Sequence, residues 1–239
     1  MSNHMNNPLH QPTSDDMRVD DFQALVRQRR SVRAFSPDSV APALLESVFS
    51  AAQYAPSNCN TQPWQTVVVS GAAKDRLKKR ISEDFVAGKM TMDFPYDGKY
   101  AGVYKDRQYA SAHALYEALG ITREDKAARG EAFFRNFEFF GAPHVAFLFL
   151  PEPFGIREAA DLGMYAQNLM LSLSAHGLAS CPQTALSFFA DQIREELDIP
   201  ASQKLLFGIS FGAEVVGHPA NACRTERADL AAAVNFINE

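Results

Sequence analysis

Apolar residues along this chain alternate between helical spacing and short unbroken runs, and the longest organised stretch is residues 154 to 177, FGIREAADLGMYAQNLMLSLSAHG. Ile156, Ala159, Ala160, Leu162, Met164, Tyr165, Ala166, Leu169, Met170, Leu171 and Leu173 are too many for one surface stripe, so the pattern predicts a helix walled by protein on most sides. Gly163 costs roughly 1 kcal/mol there relative to alanine and points to a close backbone approach, as from a partner helix. Asp161, Gln167, Asn168 and Ser172 need hydrogen-bond partners if covered, which suits an interface or the underside of a polar ligand. A plain core helix of a monomer has the same periodicity. Gly177 supplies a C-cap.

The same reading orders the rest of the chain. Residues 1 to 17 are polar with nothing to bury and are expected to form a disordered extension, leaving 18 to 239 as a single domain without a linker. Asp20 or Asp21 is the expected N-cap of a first helix carrying Phe22, Leu25 and Val26, and Pro42 opens a second, PALLESVFSAAQYA. WQTVVVS and HVAFLFL read as strands, the latter central, and KLLFGISFGAEV as a third. Residues 72 to 87 form a basic amphipathic helix, and a short helix is expected over 191 to 197. Residues 88 to 140 form an irregular aromatic excursion with helical pieces at 107–119 and 123–140, of the kind that covers a site. VNFI near the end is a further strand candidate.

Composition narrows the function classes. With 46% hydrophobic and 21% charged residues the chain reads as an ordinary globular protein, and its 18 Phe predict an aromatic-heavy core. A net charge of -5 argues against nucleic acid or an anionic membrane as main partner, so local basic clusters stand out. The apolar runs are shorter than the ~20 residues that span a bilayer, and the start does not resemble a secretory signal, so a cytoplasmic location is expected. Cys59, Cys181 and Cys223 lack metal or redox spacing and read as free thiols; the six histidines form no HExxH or HxH pair, so no metal is expected.

Three constellations carry candidate chemistry. Arg29, Arg30 and Arg33 around Ser31, with Arg224 and Arg227 near the end, look like anion clamps, because guanidinium binds phosphate bidentately. No glycine-rich phosphate loop is present, so a nucleotide-like ligand would be held by arginine. Pro56, Ser57, Asn60, Gln62, Pro63 and Trp64 bring amides to a loop before a strand, and an amide carries the donor and acceptor that reading a pyrimidine-dione edge requires. In SCPQTAL, Pro182 fixes the backbone so that the N–H groups of Gln183 and Thr184 can face a ligand. No catalytic triad, carboxylate pair or other catalytic side chain competes with them.

Together RRSVRAF, APSNCNTQPW, DLGMYAQNLMLSLSAHGLASCPQ and NACRTERA resemble, in order and spacing, the FMN-dependent nitroreductase family over roughly residues 20 to 230, closest in wording to its nitrobenzoate reductase-like branch. The resemblance implies an α+β, three-layer fold with a mostly antiparallel central sheet flanked by helices. It also implies an obligate homodimer intertwined around the long helix, FMN at the interface, and a C-terminal segment joining the partner's sheet. Arg29, Arg30, Ser31 and Arg33 would then contact phosphate, ribityl chain and the N1/O2 side of the flavin, with Arg224 or Arg227 completing the phosphate site. Ser57 and Asn60 would come from the other subunit, and Pro182, Gln183 and Thr184 would lie against the isoalloxazine.

The activity so implied is ping-pong, two-electron transfer from NADH or NADPH through FMN to nitroaromatics, nitrobenzoates among them, and quinones, with the cofactor carrying the chemistry. Reductive dehalogenation or ene reduction on the same fold, a flavin-binding redox module without turnover, and a cysteine-dependent enzyme are the rival readings.

Overall fold

The computed structural model describes residues 18–238, and the expected disordered extension, 1 to 17, lies outside the described residues. In chain order the elements are α1 (Val19–Gln28), α2 (Pro42–Ala52), β1 (Gln65–Ser70), α3 (Gly71–Val86), α4 (Gly102–Ala118), α5 (Lys126–Phe134), β2 (His144–Pro151), α6 (Ile156–Ala175), β3 (Ala179–Gln183), α7 (Ala190–Leu197), β4 (Gln203–Gly212) and the short α8 (Pro219–Ala222). The strands form one antiparallel sheet in the order β1-β2-β4-β3.

β2 explains the layering. Val145, Phe147 and Phe149 pack with Leu77 and Ile81 of α3 and Ile193 of α7. Ala146, Leu148 and Leu150 point to the other face, against Val48 and Ala52 of α2 and Leu162, Leu169 and Leu173 of α6. Successive side chains thus feed two cores, and because both faces are covered this interior strand reads as an unbroken apolar run. Each fully buried phenylalanine, such as Phe147 or Phe211, contributes roughly 1.5–3 kcal/mol relative to exposure. The α+β, three-layer expectation holds.

Several details differ from the expectations. Asp20 and Asp21 lie inside the first turn of α1, where they complement the helix dipole, and Arg18 is the N-cap without a side-chain bond. The 88–140 excursion is mostly helical: α4 starts at Gly102 and has no buried residue, while α5 ends at Phe134. The sheet has a fourth strand, β3, which contains Pro182; an edge position tolerates the missing N–H. Residues 234 to 237 form no strand, with Phe236 77% and Ile237 86% exposed, because a strand needs a neighbour's hydrogen bonds and these residues pair with none of the described strands.

α6 is also not covered all round within one chain. Asp161, Leu162, Tyr165, Ala166, Leu169, Met170 and Leu173 are buried, but Ala160, Gly163 and Met164 are exposed and Ile156 is 89% exposed. A Cβ at Gly163 would meet nothing within 4 Å in this chain, so the close approach its glycine suggests is not intramolecular. Among the described residues, no helix is long and apolar enough to cross a membrane, and no group of His, Cys, Asp and Glu could hold a metal ion.

Candidate functional site

The segment after α1 lies along the free side of β3. Ser31 forms a parallel bridge with Ser180, the Val32 N–H donates to the Ser180 carbonyl at 3.0 Å, and Phe35 bridges Glu214 beyond β4. Extended backbone alternates its side chains, so Val32 and Ala34 are buried while Ser31 and Arg33 stay partly exposed. Asn221 of α8 stitches the C-terminal region to this segment. Its side chain accepts from the Arg33 N–H at 2.8 Å and donates to the carbonyls of Ala34 at 2.9 Å and Val215 at 3.1 Å.

The two arginine clusters, some 190 residues apart in sequence, thereby meet in one cleft of about 350 Å³. Its lining includes Arg27, Arg29, Arg30, Ser31, Arg33, Arg224 and Arg227, together with Cys223, Thr225 and Ser111 from α4. Among the described residues no carboxylate lines it. Arg30 is ion-paired with Glu214, while its Nε is buried without a hydrogen-bond partner among the described residues. The buried Ser180 Oγ beneath Ser31 is likewise unpartnered. Burial, and then the Arg227 charge, lower the Arg29 pKa from its ordinary value, against a smaller opposing effect of Cys181. Arg224 Nη1 donates to the carbonyls of Asn221 and Cys223, and Arg227 Nη1 to those of Thr225 and Glu226, so both terminal arginines are braced by local backbone. Guanidinium groups gathered in excess of the Glu214 carboxylate, and with orphaned polar atoms beside them, fit an anionic ligand with several oxygen acceptors.

At the end of β3 the three predicted positions divide. Pro182 and Thr184 are exposed, whereas the Gln183 side chain turns inward. Its Nε2 donates to the Asn136 carbonyl at 2.9 Å and its Oε1 accepts from Ser210, so it braces the sheet and leaves only its backbone for a ligand. Burial pushes the neighbouring Cys181 thiol to about 11, against the pull of Arg33, a hydrogen bond with Ser31, and Arg29. That keeps the thiol protonated and unsuited to nucleophilic work.

The loop of Pro56, Ser57, Asn60 and Gln62 is not brought to the arginine cleft of the same chain. It is instead fixed on α6. The Asn58 N–H donates to Asp161 Oδ2 at 3.0 Å, and the Gln62 N–H to Ser57 Oγ at 2.9 Å. Cys59, Asn60 and Gln62 all have left-handed backbone, with φ of 51°, 55° and 48°. Each such non-glycine residue costs on the order of 1–3 kcal/mol and persists only where its surroundings enforce it. Ser111, Glu214 and Asn221 are the site features that sequence reasoning missed. Single polar residues carry no period, and only the Asn of NACRTERA lay inside a recognised motif.

The geometry defines an α+β protein with an arginine-lined anion site at one sheet edge. The nitroreductase family model matches residues 26–213. Nitroreductase NfnB of Mycolicibacterium smegmatis is 45% identical over 215 residues, covering 90% of this chain and 92% of the relative. A crystal structure of FMN-dependent nitroreductase NfnB from Mycobacterium smegmatis in complex with NADPH has a TM-score of 0.87 at 44% identity, covering 91% of this chain and 98% of the other. A 4-nitrobenzoate reductase of Nocardioides sp. is 32% identical, covering 92% of this chain and 91% of its own length. The chain belongs to the nitroreductase family.

Proposed function

We propose that this protein is an FMN-dependent nitroreductase that oxidises NAD(P)H, NADPH being bound in the crystal structure of the Mycobacterium smegmatis relative, and reduces nitroaromatic compounds and quinones. The observation that carries this reading is the arginine-rich cleft, in a chain of this family, formed from both ends of the sequence. Arg29, Arg33, Arg224 and Arg227, with the Ser31 hydroxyl and the paired Arg30, would hold the FMN phosphate by charge-assisted hydrogen bonds. When bound, FMN supplies the ring that accepts and passes on hydride. The positive potential of the arginines favours a bound group that gains negative charge on reduction, and the backbone of Pro182, Gln183 and Thr184, at the end of β3, would form the adjoining wall. None of the described side chains is needed as a proton donor, since solvent can protonate a reduced acceptor.

The working unit in this reading is a homodimer, with residues 18–239 as one domain per subunit and the 88–140 excursion over the site. Three features support it: the exposed stripe of Ile156, Ala160, Gly163 and Met164 on α6, the outer edge of β1, and the exposed apolar residues near the C-terminus. Ser57, Asn60 and Gln62, remote from the cleft of their own chain, would then complete the site of the other subunit, together with Pro56. The test is purification followed by light scattering and visible spectroscopy: a yellow dimer releasing about one FMN per chain is expected. Steady-state rates with a nitrobenzoate, a neutral nitroarene and a quinone at several NADPH concentrations should give parallel double-reciprocal lines. A colourless monomer that does not take up FMN, or a flavin-loaded protein without nitro turnover, overturns the reading.

A further inference from the structure

Asp161 is a carboxylate inside the protein, 5% exposed, on the buried face of α6, and the partner it has there is a backbone N–H, that of Asn58 at 3.0 Å. A buried carboxylate is costly, and an apolar residue would pack the same helix face at least as well. Its hydrogen bond reaches the first residue of a turn in which the backbone then goes left-handed at Cys59, Asn60 and Gln62. One helical turn further along α6, Tyr165 stacks on Trp64 with ring centroids 5.0 Å apart, and the Trp64 Nε1–H donates to Gln53 Oε1 at 3.0 Å. Residues four apart lie on one face of a helix, so Asp161 fastens the start of the loop and Tyr165 its end. Between these anchors the Gln62 N–H to Ser57 Oγ bond closes the loop on itself.

We infer that Asp161 is a positioning residue for the cofactor site, holding the loop from Asn58 to Gln62 in the shape that presents Asn60 to the flavin of the other subunit. The inference rests on the reading above that this loop completes that site. Asparagine in the left-handed region relaxes readily once untethered, and a change of its φ swings the side-chain amide away from where the loop now points it. α6 also bears the exposed stripe assigned to the subunit interface, so one helix sets both the spacing of the subunits and the placement of the loop between them. Asp161 therefore touches no ligand but decides where Asn60 does.

The experiment compares D161A, D161N, N58P and N60A as flavin-loaded dimers, reading the FMN dissociation constant by fluorescence and the flavin midpoint potential. D161A removes the acceptor. N58P removes the donor at the first position of a turn, where proline's φ is at home, and leaves α6 untouched. Both are expected to weaken FMN binding by roughly tenfold or more, the scale of a lost hydrogen bond to a charged group, and to move the midpoint potential in the direction N60A moves it. D161N, which keeps a carbonyl oxygen for the Asn58 N–H, should recover most of both. Wild-type affinity and potential in D161A overturn the inference, and if D161A does not fold, the same result in N58P overturns it. If N60A alone weakens binding, Asp161 is wrongly assigned while the loop's role stands. If N60A is also silent, the reading of the loop as part of the cofactor site fails.

Discussion

The side-chain amide of Asn221 donates to the backbone carbonyl of Ala34 at 2.9 Å, across a sequence separation of 187 residues. This bond and its two companions hold the C-terminal arginines over the N-terminal ones. Asn221→Ala leaves the Arg33 N–H and two carbonyls without their partner in a buried setting. It should destabilise the fold by about 1–3 kcal/mol, seen as a lower denaturation midpoint. The same variant should bind FMN more weakly, since the cleft loses its register.

Within the cleft, Arg33→Ala and Arg224→Ala should each weaken FMN binding by about 1.5–3 kcal/mol, the range for a hydrogen bond to a charged group. Arg227→Ala decides which terminal arginine carries the phosphate. It also removes the charge that, after burial, lowers the Arg29 pKa, so its protein without ligand should be the more stable of the two terminal variants. Equilibrium dialysis and thermal melts of the ligand-free proteins check both statements.

His144 supplies an acid limit. Its Nε2 accepts from the Val40 N–H at 2.9 Å, so Nδ1 carries the proton and donates to Ser70 Oγ, and the ring stacks on Phe211. Burial, then the charge of Lys74, lower its pKa from the ordinary value. The unfolded chain takes up a proton near pH 6.5 that the folded protein refuses. The contribution is therefore complete above about pH 6.5 and is lost as pH falls below it towards the lowered folded value. Urea midpoints at pH 7.5 and 5.5 should differ more in the wild type than in His144→Gln.

Gly208 is a packing glycine. A Cβ built there would lie 2.6 Å from Leu186 Cδ1, and Leu186, in the turn that follows β3, is fully buried. Gly208→Ala should cost about 1–3 kcal/mol through displacement of that side chain, and pairing it with Leu186→Ala should recover part of the loss. A double-mutant cycle of denaturant midpoints measures this.

The elements with strong periodicity were legible in the sequence. β2 declares itself because seven consecutive residues are buried, and α6 because its apolar residues keep helical spacing for five turns. β3 was not, since five residues with a proline in the middle carry too little pattern. The VNFI stretch forms no strand within the described chain for the opposite reason: β-propensity describes a residue's fit to a neighbouring strand, and none of the described strands adjoins it. At the site, the arginines were visible as local clusters against an acidic background, but their meeting depends on Asn221, whose three bonds are all long-range or across a turn. Ion pairing of Arg30 by Glu214 is equally invisible before folding. Asp161 was recognisable as a polar residue in need of a partner, though not which one.

α4 has no buried residue, and glycines with left-handed backbone stand at its two ends, Gly102 and Gly120. A segment that contributes a wall to the cleft through Ser111 while owing so little to the core can accept substitutions that the sheet would reject. If α4 covers the site as proposed, new acceptors can be explored by rewriting one helix, and a laboratory library confined to residues 102 to 118 would lose few members to misfolding.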